Sequence, residues 1–159
     1  MTSDPVMAAI HAAVAAGRGG DVAAARSGLL AVWAQVGVLG DPLHRCTIGH
    51  YLADLYDDPA QALAWDVRAL DAADALTDAR AQQEHASLQV AGFYPSLHLN
   101  LADNYRRLGS FDAAREQLEH ARTALSDLPA DGYGDTVRAG IEHVAAALSA
   151  GSTDRLPSH

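Results

Sequence analysis

Apolar positions along this chain recur three and four residues apart, and clusters of Asp, Pro and Gly interrupt them, a pattern that predicts a series of short amphipathic helices. Asp4-Pro5 starts the first, with Asp4 as N-cap and Pro5 in the first turn, and Gly17 to Gly20 ends it. Asp21 caps a second helix through about Val38. Gly40-Asp41-Pro42 repeats the stop and start, so a third helix runs from Pro42 to about Tyr56, and Asp57-Asp58-Pro59 turns tightly into a fourth. The fourth carries Leu63, Val67, Leu70 and Leu76 on one stripe, with Asp66, Arg68, Asp71 and Asp74 mostly outside it. From Thr77 to Val90 the period weakens, and both an extension of the fourth helix and a separate short helix fit before the break at Gly92 to Pro95. Two more helices turn at Gly109-Ser110, and a loop from Pro129 to Gly134 precedes a last helix over about 135–150. Residues 151–159 read as a flexible tail.

Within 95–128 the small and large apolar residues have a finer order. Leu101, Ala102, Tyr105, Gly109, Ala114, Leu118 and Ala121 stand at the spacing of a tetratricopeptide repeat, a helix-turn-helix unit of about 34 residues, and the stretch resembles that family. A second copy over 43–76 matches through Leu52, Ala53, Tyr56, Ala62 and Ala69, but its interval from Tyr56 to Ala62 is three residues shorter than that from Tyr105 to Ala114. A third, more diverged copy over 6–38 aligns Gly20, Ala25 and Leu29 with Gly109, Ala114 and Leu118, while Ala12, Ala13 and Ala16 replace larger residues. The resemblance implies an all-α fold in a single domain over 1–150, with three helix pairs stacked as a short right-handed α-solenoid. Small residues at helix crossings let backbones approach, and each pair covers an apolar face that its neighbour exposes. Val137, Ile141, Val144, Ala145 and Leu148 make the last helix its C-terminal cap.

The resemblance also nominates a function, a protein- or peptide-binding scaffold or adaptor that works through a concave groove. The first helix of each pair lines that groove in the family, which places His11 and Arg18, then His50, Tyr51 and Asp54, then Leu99, Asn100, Asp103 and Arg107 on it. Asn100 matches the position where chaperone-adaptor members hold the backbone or terminal carboxylate of an extended peptide. That clamp needs several cations, whereas here Arg18 and Arg107 stand among Asp54 and Asp103, so a mixed or acidic groove is expected.

Composition narrows the partner. Twenty acidic against eleven basic side chains give a net charge of −9, which argues against a nucleic-acid partner, since binding a phosphate backbone needs a positive surface. All basic residues are Arg, and heavy Ala use accompanies this, a bias expected of a high-GC bacterial genome. The N-terminal stretch lacks the basic start of a secretory signal, and no apolar run approaches the roughly 20 residues of a membrane span, so a soluble cytoplasmic protein is expected. Self-association through exposed repeat faces is a further expectation.

Chemistry is sparse. Phosphate-binding loops, HExxH and Gly-x-Ser-x-Gly are absent from the sequence, so neither catalysis nor an organic cofactor is expected. Cys46, His50 and Asp54 are spaced four and four, along one narrow stripe of the third helix, and all are transition-metal ligand types. With His98 they define the alternative reading: a small-molecule or metal-binding protein, or an enzyme, with a pocket around these four. The bland reading makes Cys46 a small core residue and His50 and Asp54 a polar pair. Glu84-His85 is a weaker candidate, because adjacent helical residues point about 100° apart. Trp33 and Trp65 are expected to pack between helices, and Arg106-Arg107 to be a charge pair at a helix C-terminus.

Overall fold

The computed structural model describes residues 4–85, 88–126, 128 and 131–157. Regular structure among them is all helical: α1 (Pro5–Arg18), α2 (Val22–Val36), α3 (Pro42–Ala53), α4 (Pro59–Asp74), α5 (Asp78–Glu84), one turn of 3-10 helix (Val90–Gly92), α6 (Tyr94–Arg107), α7 (Phe111–Ser126) and α8 (Gly132–Ser149). The expected all-α class and its packed neighbouring helices are present. Two compact units divide the chain, residues 1–88 and 89–159.

Aspartates set the helix starts. Asp4, Asp21, Asp41, Asp58 and Asp131 each accept a backbone amide from their own first turn, at 2.9–3.1 Å, and Thr77 does the same for α5 at 3.2 Å. Each cap satisfies an amide that has no partner within the helix, worth about 1 kcal/mol. Part of the acidic excess is thus local structure.

In the N-terminal unit α1 packs on α2 and α3 on α4, with α1 and α2 both touching α3. The buried residues include Ile10, Ala25 and Leu29 of the first pair and Ile48, Leu52, Trp65 and Ala69 of the second. At Gly49 the α3–α4 approach is close enough that a Cβ would lie 2.9 Å from the Trp65 carbonyl oxygen. Trp33 and Trp65 meet edge to face with centroids 5.0 Å apart, as expected of packing residues.

Two boundaries differ from expectation. α2 stops at Val36, not Val38, because Gly37 takes φ +76°, a left-handed conformation natural to glycine. α3 stops at Ala53, not Tyr56. Pro59 forces Asp58 into an extended conformation, and Arg26 of α2 takes the Leu55 carbonyl at 2.5 Å while its guanidinium lies 4.7 Å above the Tyr56 ring. Between Thr77 and Val90, Thr77 leaves the helical conformation and caps a separate α5.

In the C-terminal unit α6 and α7 form a helix pair and α8 packs on both. Leu99, Ala102, Ala114, Leu118, Ala121, Val137, Ile141 and Val144 belong to one continuous core. Gly109, at φ +76°, makes the turn between α6 and α7. α8 starts at Gly132 instead of about 135 because Asp131 supplies its cap.

Arg106 stands with Arg107 in the last turn of α6, as expected, and is 0% exposed. Its guanidinium donates twice to Asp103 Oδ1, at 2.8 and 3.0 Å, and to the carbonyls of Ser152 and Asp154 at 2.7 and 2.8 Å. Leu156 packs against the unit's core. Residues 152–156, expected within a flexible tail, are therefore attached to α6 through their backbone; residues 158–159 of that tail lie outside the described residues.

Candidate functional site

The residues nominated from the sequence fall in both units. On α1, His11 and Arg18 are exposed. On α3, Cys46 is buried, His50 and Tyr51 are half-buried with ring centroids 5.7 Å apart, and Asp54 is exposed just past the helix end. Burial pushes the Cys46 thiol up to about 12, against a small opposing pull from the Arg45 charge, so the thiolate needed of a metal ligand is disfavoured there. Its place in the core is that of a small apolar residue.

In the C-terminal unit, Asn100 and Arg107 are half-buried on α6 and Asp103 is engaged by Arg106. Leu99 does not line a surface; it is part of the core. His98 places its Nδ1 2.8 Å from the Gln117 side-chain oxygen on α7, and its ring lies between Tyr94 and His120 at centroid distances of 6.0 and 5.1 Å. Glu116 Oε1 stands 3.9 Å from His120 Nε2. Of the nominated metal quartet, Cys46 and His50 thus sit on α3 and Asp54 just past its end, all in the N-terminal unit, and His98 sits on α6 of the C-terminal unit. Among the described residues no three His, Cys, Asp or Glu side chains form a group that could hold a metal ion. Nor is any described helix long and apolar enough to cross a membrane.

A polar cluster that the sequence reading did not assemble lies in the N-terminal unit. Asp4 and Asp41 spend Oδ1 on their own helix caps and keep Oδ2 for partners. His44 donates from Nε2 to Asp4 Oδ2 at 2.6 Å. Arg80, from α5, reaches Asp41 Oδ2 at 2.7 Å through Nε and Asp4 Oδ2 at 3.2 Å through Nη2. One arginine so joins the starts of α1 and α3 to α5. Burial acts to raise both carboxyls, but hydrogen bonds outweigh it, from His44 and the Met7 and Val6 amides at Asp4 and from Arg80 and the Leu43 amide at Asp41, and both titrate below the ordinary 3.8. Burial likewise opposes the Arg80 charge, and the two aspartates more than restore it.

The signal for this cluster is present in the sequence as a repeated Asp-Pro helix start, but Arg80 is far along the chain from both aspartates, and spacing alone does not find it. The His98–His120 pair had a usable signal. The two stand at equal distances on either side of Gly109, and a helix pair folding back at that glycine brings them level. Compared with known proteins, the chain matches no family model, no curated protein and no solved structure.

Proposed function

We propose that this chain is a protein- or peptide-binding scaffold of tetratricopeptide type, three helix pairs in a right-handed solenoid with α8 as its cap, acting in a bacterial cytoplasm. One observation carries the reading. The small residues that such repeats place at helix crossings are the deeply buried ones here: Ala102, Ala114 and Ala121 in the α6–α7 pair, Ala53, Ala62 and Ala69 in the α3–α4 pair. Polar residues on the first helix of each pair keep part of their surface: His11 and Arg18, His50, Tyr51 and Asp54, Asn100, Asp103 and Arg107. In this reading Asn100 hydrogen-bonds partner backbone, and the aspartates, with the net charge of −9, draw basic side chains.

The experiment is selection of binders from a displayed peptide library on the full chain, repeated with the double substitution Asn100→Ala and Asp54→Ala. Basic peptides are expected, with a loss of at least tenfold in affinity for the double variant and an unchanged circular dichroism spectrum. Peptides held equally well by the folded double variant would place binding elsewhere, and an empty selection would count against the scaffold reading itself.

A further inference from the structure

The α6–α7 pair carries an arrangement that the scaffold reading does not use. Imidazoles from facing helices, His98 and His120, stand with ring centroids 5.1 Å apart. Two imidazoles bound to one tetrahedral ion through nitrogens at about 2.0–2.1 Å have centroids about 5 Å apart, so the observed separation lets both rings reach one ion with little movement of their helices. Gln117 places its side-chain oxygen 2.8 Å from Nδ1, and the tautomer that donates to it keeps the lone pair on Nε2 for a ligand. A hydrogen bond to the far nitrogen is how a metal-binding histidine is ordinarily oriented and made more basic.

Three further observations point to a cation. The His120 side chain is 53% exposed, so an ion has access. Glu116 brings a carboxylate oxygen to 3.9 Å from His120 Nε2 and supplies negative charge beside the pair. The chain's net charge of −9 concentrates cations near its surface. Tyr94, stacked on His98 with 22° between the rings, limits the swing of that imidazole. Imidazole donors suit nickel, copper and zinc, and two of them leave the remaining coordination positions to water.

We propose that His98 and His120 form a two-histidine surface site for a divalent transition metal, oriented by Gln117 and with Glu116 as the adjacent counter-charge. The site lies within the C-terminal unit and shares only His98 with the quartet nominated around Cys46. It stands apart from the scaffold reading, since it requires no partner polypeptide.

Nickel(II) alone, titrated calorimetrically into the full chain, tests this. One ion per chain is expected, with affinity reduced at least tenfold in His98→Phe and in His120→Phe, reduced several-fold in Gln117→Leu, and unchanged in His143→Phe on α8. Phenylalanine keeps the ring packing and removes the nitrogen donors. A second readout uses the unaltered protein, so it stands even where a variant does not fold: paramagnetic nickel is expected to broaden the imidazole resonances of His98 and His120 before those of other histidines. No binding, binding retained in both variants, or broadening that begins at another histidine overturns the proposal.

Discussion

Each compact unit uses one arginine to attach a segment that lies outside its helix pairs, and the two do so in different surroundings. Arg80 is partly exposed and joins α5 to two carboxylates, whereas Arg106 is fully buried, pairs with Asp103 of its own helix and joins the chain beyond α8 to α6 through two backbone carbonyls. The difference is in what can undo each tie. Partly exposed ion pairs weaken with salt, and with acid once their carboxylates protonate. Peptide carbonyls do not titrate, and a buried guanidinium depends on every acceptor it has because water cannot replace one. The first tie answers to solution conditions; the second is lost mainly by substitution.

The strongest way to break the contrast is Arg106→Met, which keeps bulk and removes all four hydrogen bonds. A loss of about 2–4 kcal/mol is expected, below the largest values for buried pairs because Asp103 and the freed carbonyls can turn to water. Urea denaturation measures the loss, and amide exchange over residues 152–156 is expected to accelerate with it. Denaturation unchanged while those amides exchange freely would mean that the tail is pinned without supporting the core. Arg106→Lys sharpens the point, since one ammonium cannot reproduce a planar fork that serves three acceptor groups.

Arg80→Gln is expected to cost less, about 1–2 kcal/mol, and the cost should fall in high salt, unlike that at Arg106. Its acid dependence follows from the carboxyls. Asp4 and Asp41 titrate below 3.8 in the folded chain, so the stability they add is fully present above that pH and is lost as pH falls through their lowered values. Amide-exchange protection of α5, followed from pH 6 downward through 3.8 and below, checks this: protection of α5 should be lost progressively as the acid deepens, before that of residues 152–156. Equal acceleration in both segments would remove the distinction between the two ties.

The two arginines also mark where sequence reasoning stops. Helix starts were legible because the Asp-Pro and Gly punctuation acts within a few residues, and the Trp33–Trp65 packing and the burial of Cys46 followed from residue character. The place of Arg106 in a last helical turn was legible and its burial was not, because a charged residue there is ordinarily solvated and nothing local reports that the carbonyls of Ser152 and Asp154 return to meet it. Arg80 was missed for the same reason, with both aspartates distant in the chain. At the candidate site, the groove residues came from the family spacing, and that spacing mistook Leu99 for a surface residue because position in a repeat does not by itself give the rotation of a helix against its neighbours.

The smallest effect concerns the helix pairs themselves. The repeat spacing that matches Leu52, Ala53 and Tyr56 with Leu101, Ala102 and Tyr105 sets Gly49 against His98. α3 approaches α4 so closely that a Cβ at position 49 would press on the Trp65 carbonyl at 2.9 Å and the Ala69 amide nitrogen at 3.2 Å, both backbone atoms, whereas the α6–α7 pair has room for an imidazole at the matched place. Gly49→Ala then sets two effects in opposition: a gain of about 1 kcal/mol from helix propensity and a cost of about 1–3 kcal/mol from forcing helices apart. Because backbone gives way less readily than a side chain, the cost should prevail, with a net loss of about 1 kcal/mol by urea denaturation and faster amide exchange in α3 and α4 only. A net gain would mean that the α3–α4 contact relaxes at little cost, and that glycine at 49 is not required by the packing of this pair.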